Sequence, residues 1–130
     1  MIEPLTLTTL VVHFRWPHNA LSPNARTHWA GRATWSRQAA AEAKLLTLQA
    51  LAGSTFLPGP VRVRLTFCPP DRRRRDLDNG LAMMKPYIDG AFAGLGLDDS
   101  AIQKFILQWV KVWRGGCVIF ELTAVKAGKA

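Results

Sequence analysis

Asp76 and Asp78 stand one residue apart in the run Asp76-Leu77-Asp78-Asn79. In extended chain that spacing turns both carboxylates to the same side. Two hard oxygen donors side by side suit Mg²⁺, with Mn²⁺ as the alternative. An ion held there would polarise a phosphodiester and lower the pKa of its bound water. Asp98 and Asp99 offer further carboxylates, and Asp89 could support the site from a helix. Each aspartate alone has a plainer role. Asp78 could cap a helix, Asp76 could pair with the arginines before it, and Asp98-Asp99-Ser100 could be a turn. The combination argues for metal chemistry: carboxylates beside a basic patch repel phosphate unless a bound cation reverses the sign.

That basic patch is Arg72, Arg73, Arg74 and Arg75, with Arg62 and Arg64 on the solvent side of the segment before it. Lysine and arginine number 17 against 9 acidic residues, a net charge of +8. Such a balance favours a polyanionic partner, since neutralised phosphates release their counterions. On a continuous helix Asp78, Ala82, Lys85 and Asp89 share one stripe. Lys85 could therefore orient a phosphate or stabilise a leaving oxygen; the plainer expectation is an ion pair with Asp89. Of the five tryptophans, Trp29 sits among Arg26, His28 and Arg32 and is the candidate to touch nucleic acid. Trp16, Trp109 and Trp113 read as core or interface. The histidines lack metal-ligand spacing, no glycine-rich phosphate loop is present, and no Ser/His/Asp set stands out.

The elements that must position these residues follow from periodicity. Leu10, Val12, Phe14 and Trp16 alternate with Val11, His13 and Arg15 like a half-buried strand that Pro17 ends. Residues 18 to 32 are turn-rich and read as a long loop. A helix is expected from residue 34 or 36 to 52, burying Ala41, Leu45, Leu48 and Ala52, with Gly53 as its stop. Val61, Val63, Leu65 and Phe67 alternate with Arg62, Arg64 and Thr66 as a strand. A second helix runs from about 79 to 95, with Leu81, Met84, Ile88, Phe92 and Leu95 on one arc and Pro86 either kinking it or marking a later start. Residues 105 to 113 and 117 to 125 read as a hairpin around Gly115-Gly116, and the tail from Lys126 as frayed. The fold class is α+β: a single domain over residues 1–130, a mixed four-stranded sheet packed by two helices in the order β-α-β-α-β-β. Cys68 and Cys117 lie in apolar runs and read as buried free thiols. No membrane span or signal peptide is expected, which makes the cytoplasm the default compartment.

The run from Asp71 through the four arginines to Asn79, then Lys85-Pro86-x-x-Asp89 and Leu97-Asp98-Asp99-Ser100-x-Ile102, resembles the RusA family of Holliday-junction resolvases. The loop after Pro17 and the paired strands at the C-terminus are also similar to that family. The resemblance implies a homodimeric, magnesium-dependent hydrolase of DNA recombination and repair. Such an enzyme nicks opposing strands of a four-way junction and leaves 5′-phosphate and 3′-hydroxyl ends. It maps catalysis to Asp76, Asp78, Asp99 and Lys85, and metal binding to Asp76, Asp78, Asp98 and Asp99. Arg62, Arg64, Arg72 to Arg75, Asn24, Arg26 and Arg32 are the expected DNA contacts. The lysine departs from the pattern, standing about one helical turn later than in the family.

A helix of about 17 residues is roughly 25 Å long. It would hold Asp76 and Asp78 at one end and leave Asp98 and Asp99 beyond the other. Either Pro86 breaks the helix and the chain doubles back, or two chains share each site across a two-fold axis; sharing is the favoured expectation. Two alternatives stay open: a non-catalytic basic DNA-binding module, and a nuclease selective for other branched DNA.

Overall fold

The computed structural model describes residues 5–25 and 29–125. Its elements, numbered in chain order, are β1 (Thr6–Leu7), β2 (Thr9–Arg15), α1 (Trp29–Leu51), β3 (Thr55–Phe56), β4 (Val61–Cys68), α2 (Leu77–Leu95), β5 (Ile102–Trp109) and β6 (Cys117–Ala124). Short 3-10 turns occupy Asn19–Leu21 and Asp99–Ala101. The strands order themselves β2-β6-β4-β5 in one mixed sheet, and two helices pack over it. The α+β class expected from sequence holds. The tiny parallel pair β1–β3 was not anticipated; two-residue strands are too short to carry a period.

β4 is the centre of the sheet for a reason written in its alternation. Val61, Val63, Leu65 and Phe67 are all 0% exposed, while Arg62 and Arg64 point to the outer face. A strand this buried must pair its backbone on both edges. β6 therefore runs antiparallel along one edge and β5 parallel along the other. This overturns the expected C-terminal hairpin: β4 lies between β5 and β6. Residues after β5 instead follow the extension of β4, with Val110 and Trp113 donating their amides to the carbonyls of Phe67 and Pro69. They then turn at Gly115-Gly116 into β6. The turn was legible, the pairing was not.

α1 also corrects the sequence reading twice. It begins at Trp29, several residues before the expected start. Arg32 donates to the carbonyls of Ser22 and Ala25, and His18 stacks on Trp35 at 3.6 Å. These tertiary contacts hold its first turns in place despite Gly31. Its buried face is Ala39, Ala43, Thr47 and Leu51. Ala41 and Ala52 are exposed, and so are Leu45 (57%) and Leu48 (46%). The reason lies in α2: a Cβ on Gly90 would sit 2.1 Å from the Ala40 carbonyl oxygen. Helices this close admit only small side chains between them, so alanines rather than leucines face inward.

α2 runs unbroken through Pro86. The proline costs one helical hydrogen bond, to the carbonyl of Ala82, and Ala82 is exposed, where water can serve that carbonyl. Met84, Ile88 and Phe92 are buried as expected, Leu81 and Leu95 half-buried. Gly96 ends the helix in the left-handed conformation. Cys68 and Cys117 are free, as expected, and face each other across β4 and β6, but only Cys68 is buried and Cys117 is partly exposed. Burial, and then the bond to Cys117, push the Cys68 thiol up to about 11. Among the described residues no helix is long and apolar enough to cross a membrane. The expected frayed tail from Lys126 lies outside the described residues.

Candidate functional site

Pro69 and Pro70 end β4 and lead into the arginine loop. The loop is organised around Asp71. Its carboxylate accepts from the Arg73 amide (2.9 Å), from Arg73 Nη2 (3.2 Å) and from Arg75 Nη2 (2.8 Å). The Arg73 amide, then Arg75, hold the Asp71 carboxyl below its usual range. Arg75 also donates to the carbonyls of Asp71 and Arg73, and its guanidinium lies 5.2 Å from the Trp16 ring centroid. Arg75 is thus a brace. Arg72, Arg73 and Arg74 are exposed on the loop.

Asp76 takes the N-cap position of α2, yet its side chain makes no capping bond. Asp78, in the first turn, accepts only from the amide of Asn79 (3.0 Å). Neither carboxylate forms an ion pair among the described residues, although four arginines precede them. Both plain expectations, Asp76 paired with its neighbours and Asp78 as the cap, therefore fail. Two exposed carboxylates stand at the positive end of a helix dipole. Gly80 lets that helix end approach the sheet: a Cβ there would meet the Phe67 ring at 3.0 Å.

The other acids are committed. Asp98 Oδ1 accepts from the amide of Ser100 (2.8 Å), which holds its carboxyl low and caps the 3-10 turn. Lys85 Nζ donates to Asp89 Oδ1 and Asp99 Oδ2, each at 3.0 Å. Asp89, then Asp99, raise the Lys85 pKa. The expected Lys85–Asp89 pair is present, and Asp99 joins it. Contrary to the expectation, Asp99 does not hang beyond the helix end. The chain doubles back after Gly96 and brings it level with Lys85, without any break at Pro86. Lys85 still lies seven residues from Asp78, about 10 Å along the helix axis.

Oxygen donors of this type suit Mg²⁺ or Mn²⁺. Among the described residues, however, no three His, Cys, Asp or Glu side chains are close enough to hold one ion. One chain offers the Asp76–Asp78 pair at one end of α2 and Asp99 further along it.

The other expected DNA contacts divide. Asn24 joins Arg73, Arg74, Arg75 and Asp76 around a cavity of about 830 Å³. Arg32 instead ties the loop at Ser22 and Ala25 to α1. Arg62 and Arg64 lie on the outer face of the sheet, Arg64 within 3.7 Å of Glu121, away from the loop. Arg26 and His28 fall outside the described residues. Trp29 is 75% exposed at the start of α1. Trp16 and Trp109, assigned from sequence to core or interface, are half-buried and line the cavity. Only strand order places both at the sheet end that carries the arginines, so no local signal could have found them.

No protein-family model matches the chain. An uncharacterized protein of Xylella fastidiosa is 37% identical over 112 residues, 85% of this chain and 73% of that protein. The crossover junction endodeoxyribonucleases RusA of Escherichia coli and of Enterobacteria phage 82 are each 39% identical over 70 residues. That match covers 53% of this chain and spans about half the length of those relatives, 54%. The chain is thus a distant homologue of the RusA crossover junction endodeoxyribonucleases, matched over part of its length.

Proposed function

We propose that the chain is a divalent-metal-dependent endodeoxyribonuclease that resolves Holliday junctions in DNA recombination and repair, acting in the cytoplasm as a homodimer. The observation that carries this reading is the state of Asp76 and Asp78: two adjacent carboxylates with no ion pair among the described residues, in a chain rich in arginine. Asp71 absorbs Arg73 and Arg75, so the loop keeps its cations ordered and leaves the motif carboxylates free.

On this reading Arg72 and Arg74 hold the DNA backbone at the mouth of the site, where cations position phosphates. Asp76 and Asp78 hold Mg²⁺ or Mn²⁺. When bound, the metal polarises the phosphodiester and activates water for its hydrolysis. Lys85 keeps Asp99 in a fixed place. With α2 unbroken and no third carboxylate beside Asp76 and Asp78, a second copy related by two-fold symmetry is the natural source of further donors, Asp99 among them. Such a dimer matches the approximate two-fold symmetry of a four-way junction.

The test is a labelled four-way junction incubated with and without Mg²⁺, with wild type and Asp78→Asn. Paired nicks that need both the metal and Asp78 are expected. Cutting that persists in the variant or without a divalent ion would sink the assignment.

A further inference from the structure

The cavity between the arginine loop and the Asn19–Asn24 turn holds more than phosphate binding requires. Its volume of about 830 Å³ falls within the roughly 300–1,000 Å³ of sites that enclose small organic groups. Trp16, Trp109 and Met83 line it together with Asn19 and Asn24 of one turn, Asn79 of α2 and the arginines. Among the described residues none of these three carboxamides bonds to protein through its side chain; the bonds seen at Asn19, Asn24 and Asn79 run through their backbone.

A surface that reads only the DNA backbone needs cations and polar donors, and a carboxamide can be one of those donors; aromatic rings add nothing to phosphate affinity. Rings and carboxamides lining one cavity do more together. They match a nucleobase, whose face stacks on indole and whose edge pairs with an amide. In a duplex that face is covered by its neighbours, so the base must first leave the stack. This is cheapest where stacking is already interrupted, as at the centre of a branched DNA. Asp76 lies in the wall of the same cavity.

We infer that this cavity receives one unstacked DNA base, next to the phosphate presented to Asp76 and Asp78, and thereby selects where the strand is cut. The inference rests on reading the chain as a DNA nuclease and adds to it the device that chooses the site. Asn19, Asn24 and Asn79 are the specificity-determining residues, and Trp109 offers the stacking surface.

The test replaces the bases around a junction centre, one at a time, with the fluorescent base 2-aminopurine, whose emission rises on unstacking. Protein is added to saturation in calcium without magnesium. A several-fold rise at one position is expected. It should be lost in the saturated complex of N19A/N24A, whose substitutions fall at exposed positions that leave the core intact. In magnesium the same variant should spread its cuts over neighbouring phosphates. No rise at any position in a saturated wild-type complex, or a rise that the double variant keeps, overturns the inference. The nuclease reading fails separately, through absence of magnesium-dependent cutting, and the fluorescence result stands whichever way that falls.

Discussion

Two sets of aspartates flank α2, and they differ in what holds them. At the N-terminal end Asp76 and Asp78 face solvent, with no ion pair to either among the described residues, beside three exposed arginines. Further along, Asp89 and Asp99 share the ammonium of Lys85, and Asp98 caps a turn. Residue type is identical in both places. The first set is left electrostatically unsatisfied in a region rich in positive charge, where Asp71 pairs with Arg73 and Arg75 while Arg72 and Arg74 stay exposed. An unsatisfied carboxylate pair is what a divalent ion needs; a satisfied set is already a structural clasp. The contrast teaches that a cluster of acids is informative only once its partners are known.

The contrast can be broken at its strongest point by Asp78→Asn. Nicking should fall by about a hundredfold or more, about 2.7 kcal/mol in activation terms, with the thermal midpoint barely moved. Initial rates and melting curves read the two together. Mixing Asp76→Asn chains with Asp99→Asn chains should restore single nicks if each site draws on both subunits. Absence of recovery after subunit exchange would confine the site to one chain.

Gly90→Ala attacks the strut between the two sets. Its new methyl would enter the Ala40 backbone, so overpacking of about 1–3 kcal/mol is expected in urea denaturation.

Lys85→Met dissolves the clasp. Its effect on stability should stay below about 1 kcal/mol, because the side chain is 60% exposed and its pairs are screened. The pH dependence has a definite sign. Lys85 is raised in the folded state, so its contribution is complete below the ordinary lysine range and fades as pH climbs through the folded value. Melting of wild type in strong alkali should therefore converge on that of the variant.

The smallest effect belongs to Asp71→Asn. Releasing Arg73 to a phosphate should steepen the slope of log affinity against log salt by about 1. An unchanged slope in filter binding would mean that Asp71 does not hold the loop arginines back.

Much of the site was legible before any fold was known. The Asp76-x-Asp78 spacing, the arginine run and the Lys85–Asp89 pair are local, and local chemistry is carried by neighbours in sequence. β4 was legible too, because alternating Val, Leu and Phe with Arg leaves one way to bury the strand. The inward face of α1 was misjudged because hydrophobicity alone ranks Leu45 and Leu48 above Ala39 and Ala43. The deciding fact, Gly90 on another helix, lies far away in the chain.

The amino-acid sequence by itself determined which groups could bind a cation and a phosphate, since those depend on side-chain type and on spacing within a few residues. Tertiary structure decided which of those groups are free. Asp71 pairs with two arginines, Asp99 returns to Lys85, and β4 separates the last two strands. Trp16 and Trp109 become walls of one cavity only when strands distant in sequence lie side by side. Partnership of this kind is a matter of distance in space, and chain order does not encode it.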